Sequence, residues 1–344
     1  MAFKVALIAY EAEVPGFVRE AFEREGIDFV AQRCRTNEEL KQYAADADAV
    51  WMFSAKHPLT AENLAILERC GAIIRTGSGT DNVPVEEATR RRIVVANTPD
   101  GVNMGVSDHT IGLILALGRK ILQQDAAVRS GHWVPFEIFP DFQLAGRTVG
   151  LVSFGRIARA VARKLAGFEP KILAFDPFVP SEEMAKAGVQ SASFEQVCRE
   201  SDVVSVHCPL TSSTRHLMAE AQFRLMKRSA LFINTSRGPV VDEPALIKAL
   251  TEGWIAGAAL DVLEQEPPSK DNPLFRLQNV VLTPHTAGFS ASFWHDMWTL
   301  AVEAAIDFSR GYWPRSYVNP SVQPRFNLSP RPQAEARAQL SSRI

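Results

Sequence analysis

Almost from its first residue, the chain alternates short runs of apolar and β-branched residues with longer amphipathic stretches. In the first hundred residues, 4–9, 49–53, 72–75 and 93–96 read as strands. Residues 13–25, 37–45, 61–69 and 85–91 read as helices between them. A second series starts at Arg147, with strands expected at 148–152, 171–175, 203–207, 230–234, 256–260 and 280–282. Helices are expected at 156–166, 194–201, 219–226, 243–252 and 293–310. A strand followed by a helix and a further strand returns to the same sheet as a parallel neighbour, with the helix packed on one face. The pattern therefore predicts an α/β fold of doubly wound parallel sheets.

Three segments interrupt the alternation. Residues 103–121, NMGVSDHTIGLILALGRKI, read as one long helix with little polar surface. Such a helix is buried between domains or between subunits, and the expected assembly is a homodimer through this region. Residues 131–147 carry two prolines and four aromatics, the composition of an irregular loop. Residues 321–344 hold few large apolar residues, three prolines and four arginines, which predicts a disordered tail.

Charge excludes some functions. Lys and Arg number 37 against 39 Asp and Glu, a net charge of −2. A protein whose main business is nucleic acid usually carries a basic excess, so none is expected as a partner. No apolar run reaches the roughly 18 residues that span a bilayer, so no membrane partner is expected either. Cys34, Cys70, Cys198 and Cys208 form no C-x-x-C pair, and the seven histidines are scattered. No metal site is expected, and reduced cysteines fit a cytoplasmic chain.

The sequence TVGLVSFGRIARAVA, residues 148–162, has the form of a strand, a tight turn and a helix start. A dinucleotide-binding fingerprint, G-x-G-x-x-G/A, belongs at such a junction. Its three positions fall on Ser153, Gly155 and Ala158. Gly155 permits close approach of a pyrophosphate, which the helix N-terminus would face. Ser153 departs from the first glycine. Asp176 ends the next strand, where an acid accepts hydrogen bonds from a ribose and repels a 2′-phosphate. The expected cofactor is therefore NAD.

Five further segments carry a family resemblance. They are RTGSGTDN (75–82), VHCPLTSST (206–214), NTSRGPVVD (234–242), ALDVLEQEP (259–267) and LTPHTAG (282–288). In this order and spacing the chain resembles the NAD-dependent D-2-hydroxyacid dehydrogenases. That family includes phosphoglycerate dehydrogenase, glyoxylate/hydroxypyruvate reductase, D-lactate dehydrogenase and the C-terminal-binding-protein corepressors. The resemblance implies a nucleotide-binding Rossmann domain, residues 103–287, inserted into a flavodoxin-like substrate domain of residues 1–102 and 288–320. It implies interconversion of a D-2-hydroxy acid and its 2-keto acid. Arg237 corresponds to the carboxylate anchor, a planar fork that Lys cannot imitate. His285 corresponds to the acid/base and Glu266 to its partner. Ser78 and Gly79 resemble the loop that binds the substrate carboxylate through its backbone. For the cofactor, the resemblance adds Arg156 and Ile157 at the pyrophosphate, and Cys208, Pro209 and Thr214 along the adenosine half. It adds Thr235, Ser236, Asp261, His285 and Gly288 toward the nicotinamide.

Singly, an Arg after a strand, a Glu before Pro and a His after Pro are ordinary surface residues. Arg237, Glu266 and His285 count together because each sits inside a matching motif, at spacings of 29 and 19 residues. Departures refine the reading. Asp108 stands where Glu is usual. Phe53 stands where phosphoglycerate-type members place Arg, and the 131–142 loop is aromatic rather than basic, so a phosphorylated substrate is not expected. After Pro320 too little chain remains for the regulatory domain of long phosphoglycerate-type members. The alternative is an NAD(H)-sensing module of the corepressor type, against which Gly288 stands, since corepressors carry Trp there.

Overall fold

The computed structural model describes residues 2–52, 59–133, 136–140 and 142–332. Phe53 and His57 lie outside them. In chain order the first elements are β1 (Lys4–Ile8), α1 (Gly16–Arg24), β2 (Asp28–Ala31), α2 (Asn37–Ala44), β3 (Ala49–Met52), β4 (Ala72–Arg75), α3 (Val85–Arg90) and β5 (Val94–Asn97). There follow α4 (Asn103–Gly118), α5 (Ile121–Arg129), β6 (Thr148–Val152), α6 (Arg156–Leu165), β7 (Lys171–Phe175), α7 (Ser181–Lys186) and β8 (Gln190–Ser191). The remainder comprises α8 (Phe194–Glu200), β9 (Val203–Val206), α9 (Glu220–Leu225), β10 (Leu231–Asn234), α10 (Glu243–Thr251), β11 (Gly257–Leu260), β12 (Val280–Leu282) and α11 (Phe293–Ser309). These pack into two compact units, one formed by the segments up to Val102 and from Ser290 onward, the other by Asn103–Phe289.

The first unit is a five-stranded parallel sheet in the order β2-β1-β3-β4-β5. This is the flavodoxin-like doubly wound order. Successive side chains of a strand point to opposite faces, and both faces are buried here. Val5 and Leu7 pack with Trp51, Ile74 and α11, whereas Ala6 packs with Val50, Ile73 and α2. Strands covered on both sides read as continuous apolar runs, which is why they were legible. The indole N–H of buried Trp51 donates to Thr76 Oγ1 at 2.7 Å, and its ring meets Trp298 edge-on at 5.1 Å. Trp298 is therefore core. A capping box at Thr36 and Glu39 starts α2.

Two expectations are corrected here. The stretch at 61–69 forms only a single tight turn, Asn63–Ile66, in place of an α-helix. The segment from 321 is not disordered as far as it is described. Val322 is buried, and the Phe326 ring lies 5.7 Å from Phe3 and 6.1 Å from Phe308. The Arg325 guanidinium donates to the carbonyls of Arg91 and Glu68 at 2.9 and 2.7 Å. Low apolar content misled because one aromatic in a core slot and one arginine on two carbonyls suffice to fasten an extended strap. Residues 333–344 lie outside the described residues.

The second unit is a seven-stranded parallel sheet in the order β12-β11-β10-β9-β6-β7-β8. Strand order reverses between β6 and β9, the switch point at whose carboxyl edge open α/β sheets bind ligands. The expected single helix at 103–121 is corrected to two. Lys120 adopts φ 53°, ψ 36°, and α5 sets off from Ile121. No apolar residue between Gly118 and Ile121 gives tertiary packing that would carry the helix through. Val106, Leu113, Ile114 and Leu117 of α4 are buried within this unit, where α4 lies against α6 and β10–β12.

Candidate active site

The carboxyl edge of β6 begins the site. Ser153 turns the chain at φ 77°, and Gly155 is the N-cap of α6 with no side chain capping the first turn. A Cβ built on Gly155 would meet no atom within 4 Å. The glycine is thus not required by protein packing, and it leaves open space at the start of α6. Ala158 is fully buried, which allows α6 to lie close on the sheet. Arg156 and Ile157 occupy the first turn. Asp176 follows β7 and accepts from the Ser153 hydroxyl at 3.0 Å, the Phe154 N–H at 2.8 Å and the Phe178 N–H at 2.8 Å.

Across the switch point, β9 delivers Cys208 and Pro209. Burial pushes the Cys208 thiol up to about 12, so it stays protonated and is a poor nucleophile. Thr214 Oγ1 donates to the Pro209 carbonyl at 2.6 Å and closes the turn that brings both residues to one edge. Burial lowers His207 to about 4, so this ring is neutral and structural.

β10 and β11 supply the chemical groups. Arg237 follows β10 in extended backbone. Its turn is braced by Asn234, whose amide donates to the Arg237 carbonyl at 3.1 Å and whose Oδ1 accepts from Ser236 N and Oγ. Thr235 is buried, with its hydroxyl 3.0 Å from that of Thr110. Gly238 then passes directly against the loop after β11. A Cβ there would stand 1.8 Å from the Leu263 carbonyl oxygen and 2.6 Å from Glu264 N. These are backbone atoms and cannot rotate away, so only glycine lets the Arg237 loop and the Glu266 loop lie together. Gly238→Ala should cost about 1–3 kcal/mol through overpacking and reduce kcat by displacing both loops. Thermal melting and steady-state rates check this; unchanged values for both would contradict the contact.

His285 Nδ1 lies 2.7 Å from Glu266 Oε2. Burial alone would raise the Glu266 carboxyl. The His285 hydrogen bond and charge, the Leu263 N–H and the Arg237 charge outweigh it and hold the group below its ordinary value. The carboxylate is therefore ionised beside the imidazole, and Arg237 is near enough to be felt. The Glu266–Pro267 peptide is cis.

His285 itself has φ 55°, a conformation that non-glycine residues keep only when neighbours impose it. Asp261 imposes it. The Asp261 carbonyl accepts from His285 N at 2.8 Å. Its buried carboxylate accepts from Thr283 Oγ1 at 2.6 Å, Thr286 N at 2.9 Å and Ala287 N at 2.9 Å. His109 Nε2 reaches Thr283 Oγ1 at 2.9 Å and Asp261 Oδ1 at 3.6 Å. Gly288 is on the turn that follows. In the other unit, Ser78 and Gly79 follow β4. Asn97 Nδ2 donates to the Ser78 carbonyl at 2.8 Å, and Thr98 Oγ1 accepts from Gly77 N at 2.6 Å.

Comparison with known proteins decides the family. Residues 111–287 match the model of the D-isomer specific 2-hydroxyacid dehydrogenase NAD-binding domain. A glyoxylate reductase of Korarchaeum cryptofilum is 42% identical over 269 residues, 77% of this chain and 81% of that protein. The chain belongs to the D-2-hydroxyacid dehydrogenase family. A D-3-phosphoglycerate dehydrogenase of Archaeoglobus fulgidus is 36% identical over 302 residues, 88% of this chain but 57% of that longer protein. Among solved structures, D-lactate dehydrogenase from Aquifex aeolicus, complexed with NAD and lactic acid, superposes with a TM-score of 0.78 at 28% identity, covering 90% of this chain and 96% of that one.

Residues 111–287 of this D-2-hydroxyacid dehydrogenase are an NAD-binding domain, and its residues fit that cofactor. The uncapped N-terminus of α6, the open space at Gly155 and the acid at the tip of β7 are the features a pyrophosphate and an unphosphorylated ribose need. Asn234, Thr283 and His109 were not singled out from sequence as site residues. The motifs NTSRG and LTPH contain the first two. The role of His109 arises only from the approach of α4 to β12. Asp108, one methylene shorter than the usual Glu, still reaches Lys164 Nζ at 2.6 Å. Among the described residues no cluster of His, Cys, Asp and Glu could hold a metal ion. None of the described helices is long and apolar enough to cross a membrane.

Proposed function

We propose that the dehydrogenase interconverts a D-2-hydroxy acid and its 2-keto acid, with Arg237, Glu266 and His285 as its working groups. The observation that carries this reading is the 2.7 Å pairing of His285 with an ionised Glu266 in the neighbourhood of Arg237. Arg237 would bind the substrate carboxylate and polarise the adjacent carbonyl with its planar fork. His285 gives Nδ1–H to Glu266, which leaves Nε2 to hand a proton to the developing alkoxide. NADH, when bound, supplies the hydride. Ser78 and Gly79 would hold the carboxylate through backbone N–H groups. Thr235, Ser236, Asp261 and Gly288 would border the nicotinamide, Arg156 and Ile157 the pyrophosphate, and Cys208, Pro209 and Thr214 the adenosine.

The names of the relatives support glyoxylate and comparably small 2-keto acids as substrates. NADH oxidation against glyoxylate, hydroxypyruvate, pyruvate, phenylpyruvate and larger keto acids tests the reading. Brisk turnover of one or more is expected; no turnover of any would overturn it in favour of a cofactor-sensing role. Glu266→Gln supplies a second test. Neutralising the carboxylate removes the charge that favours the imidazolium. The limb of kcat/KM for reduction that needs protonated His285 should move to lower pH, and a superimposable profile would remove Glu266 from this role.

A homodimer is supported by the apolar residues that the second unit leaves exposed. Met104, Ile121, Leu122, Val128, Trp133, Phe136 and Phe139 are all at least 49% exposed. Exposed apolar surface of this kind is what an interface between two copies would cover, and light scattering at twice the chain mass is the expected result. Four free cysteines, all buried, are compatible with a cytoplasmic location.

A further inference from the structure

We infer that the Ser153 hydroxyl competes with the adenosine ribose for Asp176, and so sets both the affinity for NAD(H) and the rejection of the 2′-phosphorylated cofactor. The inference rests on the reading of Asp176 as the ribose acceptor.

A carboxylate offers about four lone-pair positions. On Asp176, Oδ2 already accepts from Ser153 Oγ at 3.0 Å and Phe154 N at 2.8 Å, while Oδ1 accepts from Phe178 N at 2.8 Å. A ribose 2′,3′-diol brings two further donors, one more than the carboxylate can take. The two backbone N–H groups cannot leave without moving the fingerprint turn or the turn after β7. The Ser153 hydroxyl can rotate away, so it is the group that ribose must displace. That bond is charge-assisted and therefore among the stronger of its kind. The same bond draws negative charge off the carboxylate and softens its repulsion of a 2′-phosphate.

The backbone separates the hydroxyl from the turn itself. Ser153 sits at φ 77°, where every residue with a Cβ is disfavoured and glycine is not. Alanine keeps that penalty and removes the hydroxyl. Glycine removes both.

The experiment is a fluorescence titration of the full-length chain with NADH and with NADPH. The proteins are the parent, Ser153→Ala, Ser153→Gly, Asp176→Ala and the double variant Ser153→Ala/Asp176→Ala. Ser153→Ala should tighten NADH about three- to tenfold, the range expected for relief of one hydrogen bond. It should also widen the preference for NADH over NADPH. Ser153→Gly should do the same and melt at a higher temperature. In the Asp176→Ala background the alanine should have no effect. If Asp176→Ala narrows the preference but Ser153→Ala leaves NADH binding unchanged or weaker, the competition does not exist. An equal gain with and without Asp176 would likewise overturn it, since the hydroxyl would then act elsewhere. If Asp176→Ala leaves the preference unaltered, the ribose reading itself fails.

Discussion

Replacing His285 by Ala is expected to lower kcat for keto-acid reduction by about 10²–10⁴-fold, the usual contribution of a positioned general acid. NADH binding should survive. The reason is geometric. His285 meets Glu266 through Nδ1 and is held on a loop whose backbone contacts run to Asp261, so truncating the ring removes the proton donor without touching the turn at Ser153 or the acid at Asp176. The bond from the residue 285 N–H to the Asp261 carbonyl and the Asp261 carboxylate contacts with Thr283, Thr286 and Ala287 do not use the imidazole, so the loop should persist. Single-turnover rates with saturating NADH, together with an NADH titration, separate chemistry from binding. A variant with near-parental kcat would remove His285 from proton transfer. A variant that lost NADH affinity in proportion to its rate would point to a collapsed loop instead.

The sheets were legible because strands such as β3 and β10 are buried on both faces and read as short apolar runs. The helix boundaries were less so. At Lys120 a left-handed residue divides what looks like one periodic segment, and nothing in its side chain announces this. The strap at 322–326 escaped notice because its fastening is long-range. Arg325 finds carbonyls more than 230 residues away in sequence, and composition cannot report such pairings. At the candidate site, the residue types were legible and their connections were not. Arg237, Glu266 and His285 stand in recognisable motifs, whereas the bracing of Arg237 by Asn234 and of His285 by Asp261 depends on loop geometry. The requirement for glycine at 238 is of the same kind. It follows from the backbone of Leu263 and Glu264, 25 and 26 residues further on.

Asp261 gives the second large effect. Sequence motif alone would place it beside the nicotinamide, and one lone pair of Oδ2 is not used by the protein contacts described above. Its carboxylate, 2% exposed as a residue, nevertheless holds Thr283, Thr286 and Ala287 together around His285. Asp261→Ala leaves one hydroxyl and two backbone N–H groups without their acceptor. A buried donor so stranded costs about 1–3 kcal/mol, so a loss on the order of 3–5 kcal/mol is expected after partial rescue by water. The loop would then relax out of the left-handed conformation at His285. A displacement of about 1 Å at a reacting group costs about a hundredfold in rate, and kcat should fall at least that far. Asp261→Asn should be milder. Its oxygen can keep Thr283 and Thr286, but its amide N–H₂ would face the N–H of Ala287, so one bond becomes a repulsion. The melting temperature, kcat and the NADH dissociation constant together distinguish the two roles. A lower melting temperature and kcat with NADH affinity nearly unchanged identifies the carboxylate as the positioning group for His285. Weakened NADH binding with an unchanged melting temperature would show that its main partner is the nicotinamide.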